Sequence, residues 1–164
     1  MILRRHLLLS AAAIATTALV SLPAAAEHRP ARPQAPPEQV RRRILVMEDE
    51  PLIREVMGLY LQRQGYEPVL AREGREAVAL YREAFERGAR FDAVVMDLTV
   101  PGGMGGAEAI REMRLIDPEV RAIVASGYST DPIMARHRDY GFLAALAKPF
   151  QAAELSEVLS AVLS

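Results

Sequence analysis

The chain has 164 residues, 51% hydrophobic and 25% charged, with a formal net charge of -1 at pH 7 and no cysteine. That length holds about one domain, and the composition is that of an ordinary globular protein. The missing cysteines exclude disulfides and thiolate metal sites. The near-zero charge gives no reason to expect nucleic acid or an acidic lipid as a partner, because the arginines are interleaved with acids as on solvated helix faces.

Residues 1–26 differ from the rest. Arg4, Arg5 and His6 make a basic start, 7–20 is apolar and small, and Pro23-Ala24-Ala25-Ala26 offers a small-x-small cleavage site before Glu27. This is the layout of a secretory signal. The apolar stretch is too short and too alanine-rich for a firm membrane span. Residues 27–42 carry Pro30, Pro33, Pro36 and Pro37 and run into arginines. Such a stretch reads as a Pro/Arg-rich disordered linker with little to bury. Residues 43–164 are then the folded domain.

The apolar run 44–47 suits a strand buried on both faces, and Glu48-Asp49-Glu50 follows it. Pro51 fits the first turn of a helix. Ile53, Val56, Met57, Tyr60 and Leu61 recur at helical spacing, and Gly65 closes that helix. A second strand is expected over 66–71. Ala77, Val78, Leu80, Tyr81 and Ala84 mark a second helix ending by Gly88. A third strand over 91–96 delivers Asp97, followed by the loop Gly102-Gly103-Met104-Gly105-Gly106 and a third helix over 106–115. Asp117-Pro118 breaks the chain before a fourth strand over 120–125, which delivers Ser126. Asp131-Pro132 is a cap and first turn for a fourth helix, which Gly141 stops. A fifth strand over 142–147 delivers Lys148-Pro149, and Leu155, Val158, Leu159 and Val162 line a last helix. This is an α/β chain, a (βα)5 doubly wound parallel five-stranded sheet with helices on both faces.

Four strands thus present polar groups at their C-terminal ends, where open α/β sheets bind ligands. Glu48, Asp49 and Asp97 leave the first and third strands, neighbours across the switch point. Clustered carboxylates repel, and a hard cation such as Mg²⁺ relieves them with one or two carboxylates and water. The bland alternative is an acid set that caps the first helix, and Glu50 is read that way. Lys148 is barred from helix by Pro149 and is placed to reach across toward Asp97. Ser126 is either an oxyanion donor or a turn serine bonding its own backbone. The glycine loop lacks the ending of a P-loop and the spacing of a dinucleotide fingerprint, and reads as a flexible loop that frees the approach to Asp97. Met47, Met57, Met96 and Met113 are core by spacing. His6, His28 and His137 form no metal set.

Together the motifs ILVMEDEP, AVVMDLTVPGGMGG, IVASGYS and LAKPF, in that order, resemble the receiver domain of two-component response regulators. The likeness runs from Arg43 to Ser164 and is similar in its DLTVPGGMGG loop to receivers fused to hybrid sensor histidine kinases. It implies a flavodoxin-like receiver fold and a phosphorelay role. Asp97 is then the phosphoacceptor, taking its phosphoryl from a histidine kinase or histidine phosphotransfer protein. Mg²⁺ is held by Asp49 directly, by Glu48 through water, by Asp97 and by the backbone carbonyl of Thr99. Ser126 is the switch hydroxyl and Lys148 the lysine that bonds the aspartyl phosphate. Glu48 stands where aspartate is commoner. Ala145 stands where many receivers carry an aromatic that swings inward, so that rotamer switch is not implied here. A homodimer through the face of the fourth helix, fifth strand and fifth helix is a further expectation.

Two rival readings are a hydrolase using Asp97 on small phosphate esters and a degenerate receiver that binds partners constitutively. The haloacid-dehalogenase-like phosphatases need a second aspartate where this chain has Thr99. The intact set Glu48, Asp49, Asp97, Ser126 and Lys148 argues against degeneracy. The chain is therefore expected not to be an enzyme beyond its own phosphorylation and dephosphorylation. Cytoplasmic work is expected, since the phosphoryl donor is there. The signal-like start is then an anchor, a mis-assigned beginning with initiation at Val40, or true export.

Overall fold

The computed structural model describes residues 41–128 and 130–164. The signal-like segment 1–26, and all of the linker except Arg41 and Arg42, lie outside the described residues. Among the described residues, no helix is long and apolar enough to cross a membrane.

Five strands form one sheet: β1 (Arg43–Met47), β2 (Glu67–Ala71), β3 (Ala93–Asp97), β4 (Ala122–Ser126) and β5 (Ala144–Ala147). Their order is β2-β1-β3-β4-β5, and every pairing is parallel. The helices are α1 (Pro51–Arg63), α2 (Gly74–Glu86), α3 (Gly106–Ile116), α4 (Pro132–Ala135) and α5 (Ala152–Leu163), with a 3-10 turn at His137–Tyr140. The chain steps from β1 to β2 on one side and then through β3 to β5 on the other. The reversal falls between β1 and β3, as the strand pattern implied.

The central strands are apolar on both faces because helices cover both. Leu45, Met47, Val94, Met96 and Val124 pack with Ala77, Tyr81, Ile110 and Met113 of α2 and α3. Ile44, Val46, Val95 and Ile123 pack with Met57, Leu61, Leu155 and Leu159 of α1 and α5. Each of the larger aliphatic side chains here contributes about 1.5–3 kcal/mol by leaving water, so this double layer dominates the fold. The four methionines assigned to the core are all buried.

The boundaries differ from expectation in ways that matter for the site. Asp97 and Ser126 are the last residues of β3 and β4, not the residues after them. The strand ladder therefore holds their backbones. Tyr66 lies outside β2, Phe91 outside β3 and Phe142 outside β5. Val56 is 56% exposed despite its helical spacing.

The largest correction is α4, expected to run to Gly141 but only four residues long. Asp131 caps it, its Oδ1 accepting the Ile133 N–H at 2.8 Å. Arg136 then leaves helical geometry, at φ -122° and ψ 36°. From 132 to 140 only Met134 is buried, and helices are held mainly by a packed apolar face. Gly141, at φ 93°, still stops the segment.

Candidate functional site

β1 and β3 are neighbours in register, with Met47 opposite Met96. The next step along each strand brings Glu48 beside Asp97. Asp49 completes the group, and one carboxylate oxygen from each of the three lies within 4.8 Å of the others. Glu48 is 2% and Asp97 8% exposed. Buried like charges at this spacing are costly without a counter-charge.

Lys148 supplies part of it. Its Nζ donates to Glu48 Oε2 at 2.5 Å and to Asp97 Oδ2 at 2.6 Å. Lys148 follows β5 directly, and its backbone N–H donates to the Ser126 carbonyl at 2.8 Å. The side chain therefore reaches past the end of β4 to the β1–β3 junction. The Lys148–Pro149 peptide is cis.

Three carboxylates face one ammonium, so the cluster keeps an excess of negative charge. Burial pushes the Glu48 carboxyl above its ordinary range, and the Lys148 hydrogen bond only partly opposes this. Burial works against the charged form of Lys148, but the bonds to Asp97 and Glu48 outweigh it and raise its pKa. The ammonium thus stays charged across neutral pH.

Ser126 is buried at the end of β4, the strand next to β3. Its Oγ accepts the Tyr128 N–H at 3.1 Å, the contact of a turn serine. A hydroxyl that accepts in this way keeps its own proton for donation. Thr99 meets Asp97 through its N–H, which donates to Oδ1 at 3.1 Å. Glu50 occupies the N-cap position of α1, beside the positive end of its dipole, although its side chain makes no cap hydrogen bond.

The glycine loop is also corrected. Its start at Gly102 is open and exposed, but the half from Met104 to Gly106 is packed. A Cβ on Gly106 would come within 2.8 Å of the Asp97 carbonyl oxygen, and one on Gly105 would collide with the Leu98 carbonyl. Met104 ties the loop to the start of α2: its carbonyl accepts the Gly74 N–H at 2.8 Å, and its N–H donates to Glu73 Oε2 at 3.1 Å. Gly105 and Gly106 let backbone lie on backbone behind Asp97.

Sequence reasoning missed Arg54. From the first turn of α1, its Nη1 donates to the backbone carbonyls of Glu48, at 2.7 Å, and Asp49, at 3.1 Å. The only signal was a basic residue one helical turn past the acids, which is common on solvated helices. The arrangement as a whole offers hard oxygen donors, a nucleophilic carboxylate and a fixed cation at one point. That set suits chemistry on a phosphoryl group beside a divalent cation.

Comparison with known proteins agrees. Residues 44–160 match the family model described as the response regulator receiver domain. A response regulator receiver protein of Anaeromyxobacter is 38% identical over 108 residues, 66% of this chain and 43% of that one. The chain thus spans less than half of that relative. Chemotaxis protein CheY of Thermotoga maritima is 33% identical over 74% of this chain and 97% of its own. Among solved structures, the receiver domain of a Pseudomonas aeruginosa sensor histidine kinase, with magnesium coordinated in its active-site cleft, aligns with a TM-score of 0.66 and 29% identity. That alignment covers 75% of this chain and 98% of the other.

Proposed function

This chain belongs to the response regulator receiver domain family, and we propose that it accepts a phosphoryl group on Asp97 from a phosphohistidine of a histidine kinase or phosphotransfer protein. One observation carries the assignment to Asp97: its carboxylate sits where Glu48 and Asp49 converge and where the Lys148 ammonium lies 2.6 Å away.

Mg²⁺ fits this donor set. The ligands are hard oxygens, few in number and open to solvent at Asp49 and Thr99, which suits an ion that keeps much of its water. Glu48, Asp49 and Asp97, with the Thr99 carbonyl, would hold it. When bound it supplies charge neutralisation at the oxygens of the transferring phosphoryl.

The chain's residues do the rest. An Asp97 oxygen forms the bond to phosphorus as the phosphorus–nitrogen bond of the donor breaks, its electron pair staying on the imidazole nitrogen. Transfer of this kind is mostly positioning and charge stabilisation. The Thr99 N–H orients the Asp97 carboxylate, and Lys148 opposes the growing negative charge. Ser126 donates its hydroxyl to a phosphoryl oxygen. The product adds about two negative charges and is a hydrolysable acyl phosphate. Thr99 and Tyr128 flank the path of the water that removes it.

The charge change draws Ser126 and Lys148 inward and biases α4 and β5, which a partner reads. A homodimer through the α4, β5 and α5 face belongs to the same reading. We place the protein in the cytoplasm, where phosphohistidine donors are made. Incubation with acetyl phosphate and Mg²⁺ should add one phosphoryl mass to the wild type and none to Asp97→Asn. Equal adducts on both would refute the assignment.

A further inference from the structure

Arg54 makes no contact with the carboxylates that define the site, yet it holds the backbone that carries two of them. Its single Nη1 donates to both the Glu48 and the Asp49 carbonyl, at 2.7 and 3.1 Å. Those carbonyls lie past the end of β1 and before the first turn of α1, so neither ladder nor helix supplies them with a donor. The Glu48 N–H is held from the other side, donating to the Ala71 carbonyl at 3.0 Å. The two-residue bend is thus fixed from β2 on one flank and from α1 on the other. Arg54 is itself half-buried, so its guanidinium is not a freely swinging surface group.

We propose that Arg54 is a positioning residue for the cation site: by clamping the Glu48 and Asp49 carbonyls it holds their carboxylates converged on Asp97 and so sets the affinity for Mg²⁺. This rests on the reading of Glu48, Asp49 and Asp97 as the Mg²⁺ set. Groups that orient metal ligands from behind commonly matter 10- to 100-fold, as an order of magnitude, in metal affinity.

Two physical effects oppose each other here, and their signs differ. Arg54 is a cation beside a cation site. By charge alone, removing it would strengthen Mg²⁺ binding. By loss of the clamp, the bend relaxes under the mutual repulsion of the acids and binding weakens. Hydrogen bonds from a charged donor are stronger than neutral ones, and Arg54→Met would remove two of them at once from otherwise unpartnered carbonyls, whereas the guanidinium makes no ion pair with the acids, so its charge acts only at longer range. The clamp therefore dominates.

The test is Mg²⁺ titration by calorimetry on the full chain, with metal-free amide exchange as a second readout. Wild type and the exposed α3 control Arg111→Met should bind alike. Arg54→Met should bind Mg²⁺ about 10-fold more weakly, with faster exchange at residues 48–50 in the absence of metal and an unchanged far-ultraviolet spectrum. Arg54→Lys, which keeps the charge and can serve both carbonyls from one ammonium, should fall between. Tighter or unchanged binding in Arg54→Met would overturn the clamp, as would an Arg54→Lys variant no better than Arg54→Met. Failure of the wild type itself to bind Mg²⁺ would instead overturn the reading of the acidic set.

Discussion

The two ends of this sheet are built from the same strands and carry opposite electrostatic logic. At the N-terminal edge Arg43 and Asp117 are each met by several local partners. Arg43 pairs with Glu67 at 3.3 Å and also donates to the Ala89 carbonyl, while its own N–H is taken by Asp92 at 2.7 Å. Asp117 is buried, but Tyr81 donates to it at 3.1 Å, the Glu119 N–H at 3.0 Å, and Arg90 approaches at 3.8 Å. Burial of Tyr81 and the neighbouring Asp117 push its hydroxyl far up, so it stays protonated and donates to the carboxylate. At the C-terminal edge three acids share one ammonium. The balanced edge can only stabilise. The unbalanced one is less stable than it need be, and the deficit is what a cation and a phosphoryl group would relieve.

The two edges differ most at Asp97 and Asp117. Asp97→Asn should abolish phosphoryl uptake from acetyl phosphate, read by intact mass, yet leave or raise metal-free stability. Asp117→Asn should do the reverse, keeping uptake while costing about 1–3 kcal/mol in urea denaturation, because a buried hydrogen-bond set is left mismatched. Loss of uptake in Asp117→Asn would erase the division between the edges.

Lys148→Met should slow phosphoryl uptake by roughly 100- to 1000-fold, the scale for one removed oxyanion donor. It should also destabilise the metal-free domain, since Glu48 and Asp97 lose their counter-charge. Added Mg²⁺ should restore part of that stability. No comparable rescue is expected at the N-terminal edge. Mg²⁺ at about 100 times its dissociation constant should stabilise the wild type by about 2.7 kcal/mol, and chelation should reverse it.

The pH dependence of the metal-free domain sharpens the contrast further. The folded pKa of Glu48 lies above its ordinary value of 4.5. Its contribution to stability is therefore fully present below that ordinary value and is lost as pH rises through the raised one. Glu48→Gln should flatten this part of the profile in urea titrations of chelated protein. A slope unchanged by the substitution would count against buried Glu48 as its source. The smallest effect belongs to the exposed partner of the balanced edge: Glu67→Gln should cost less than about 1 kcal/mol and leave uptake untouched.

How much of this was legible beforehand varied by residue. The strand runs announced themselves because Ile44 to Met47 and Ala93 to Met96 are apolar without interruption, as burial on both faces demands. The acids and Lys148 were legible as chemistry because each breaks such a run where the strand ends. The fourth helix misled, since Asp131-Pro132 and Gly141 are good start and stop signals with too little apolar surface between them to hold a helix. The glycine loop misled for a related reason. Glycine marks either freedom or close packing, and only the position of the Leu98 and Asp97 carbonyls beside it distinguishes them.

Periodicity and residue chemistry are local properties, so the chain alone was enough to set the order of strands and helices and to single out the candidate polar groups at the strand ends. The distances between those groups emerge only on folding. Lys148 lies 51 residues from Asp97 and 100 from Glu48 along the chain, and Arg54 clamps a bend from an adjoining helix. Such meetings depend on sheet order and register, which arise from packing the whole chain at once.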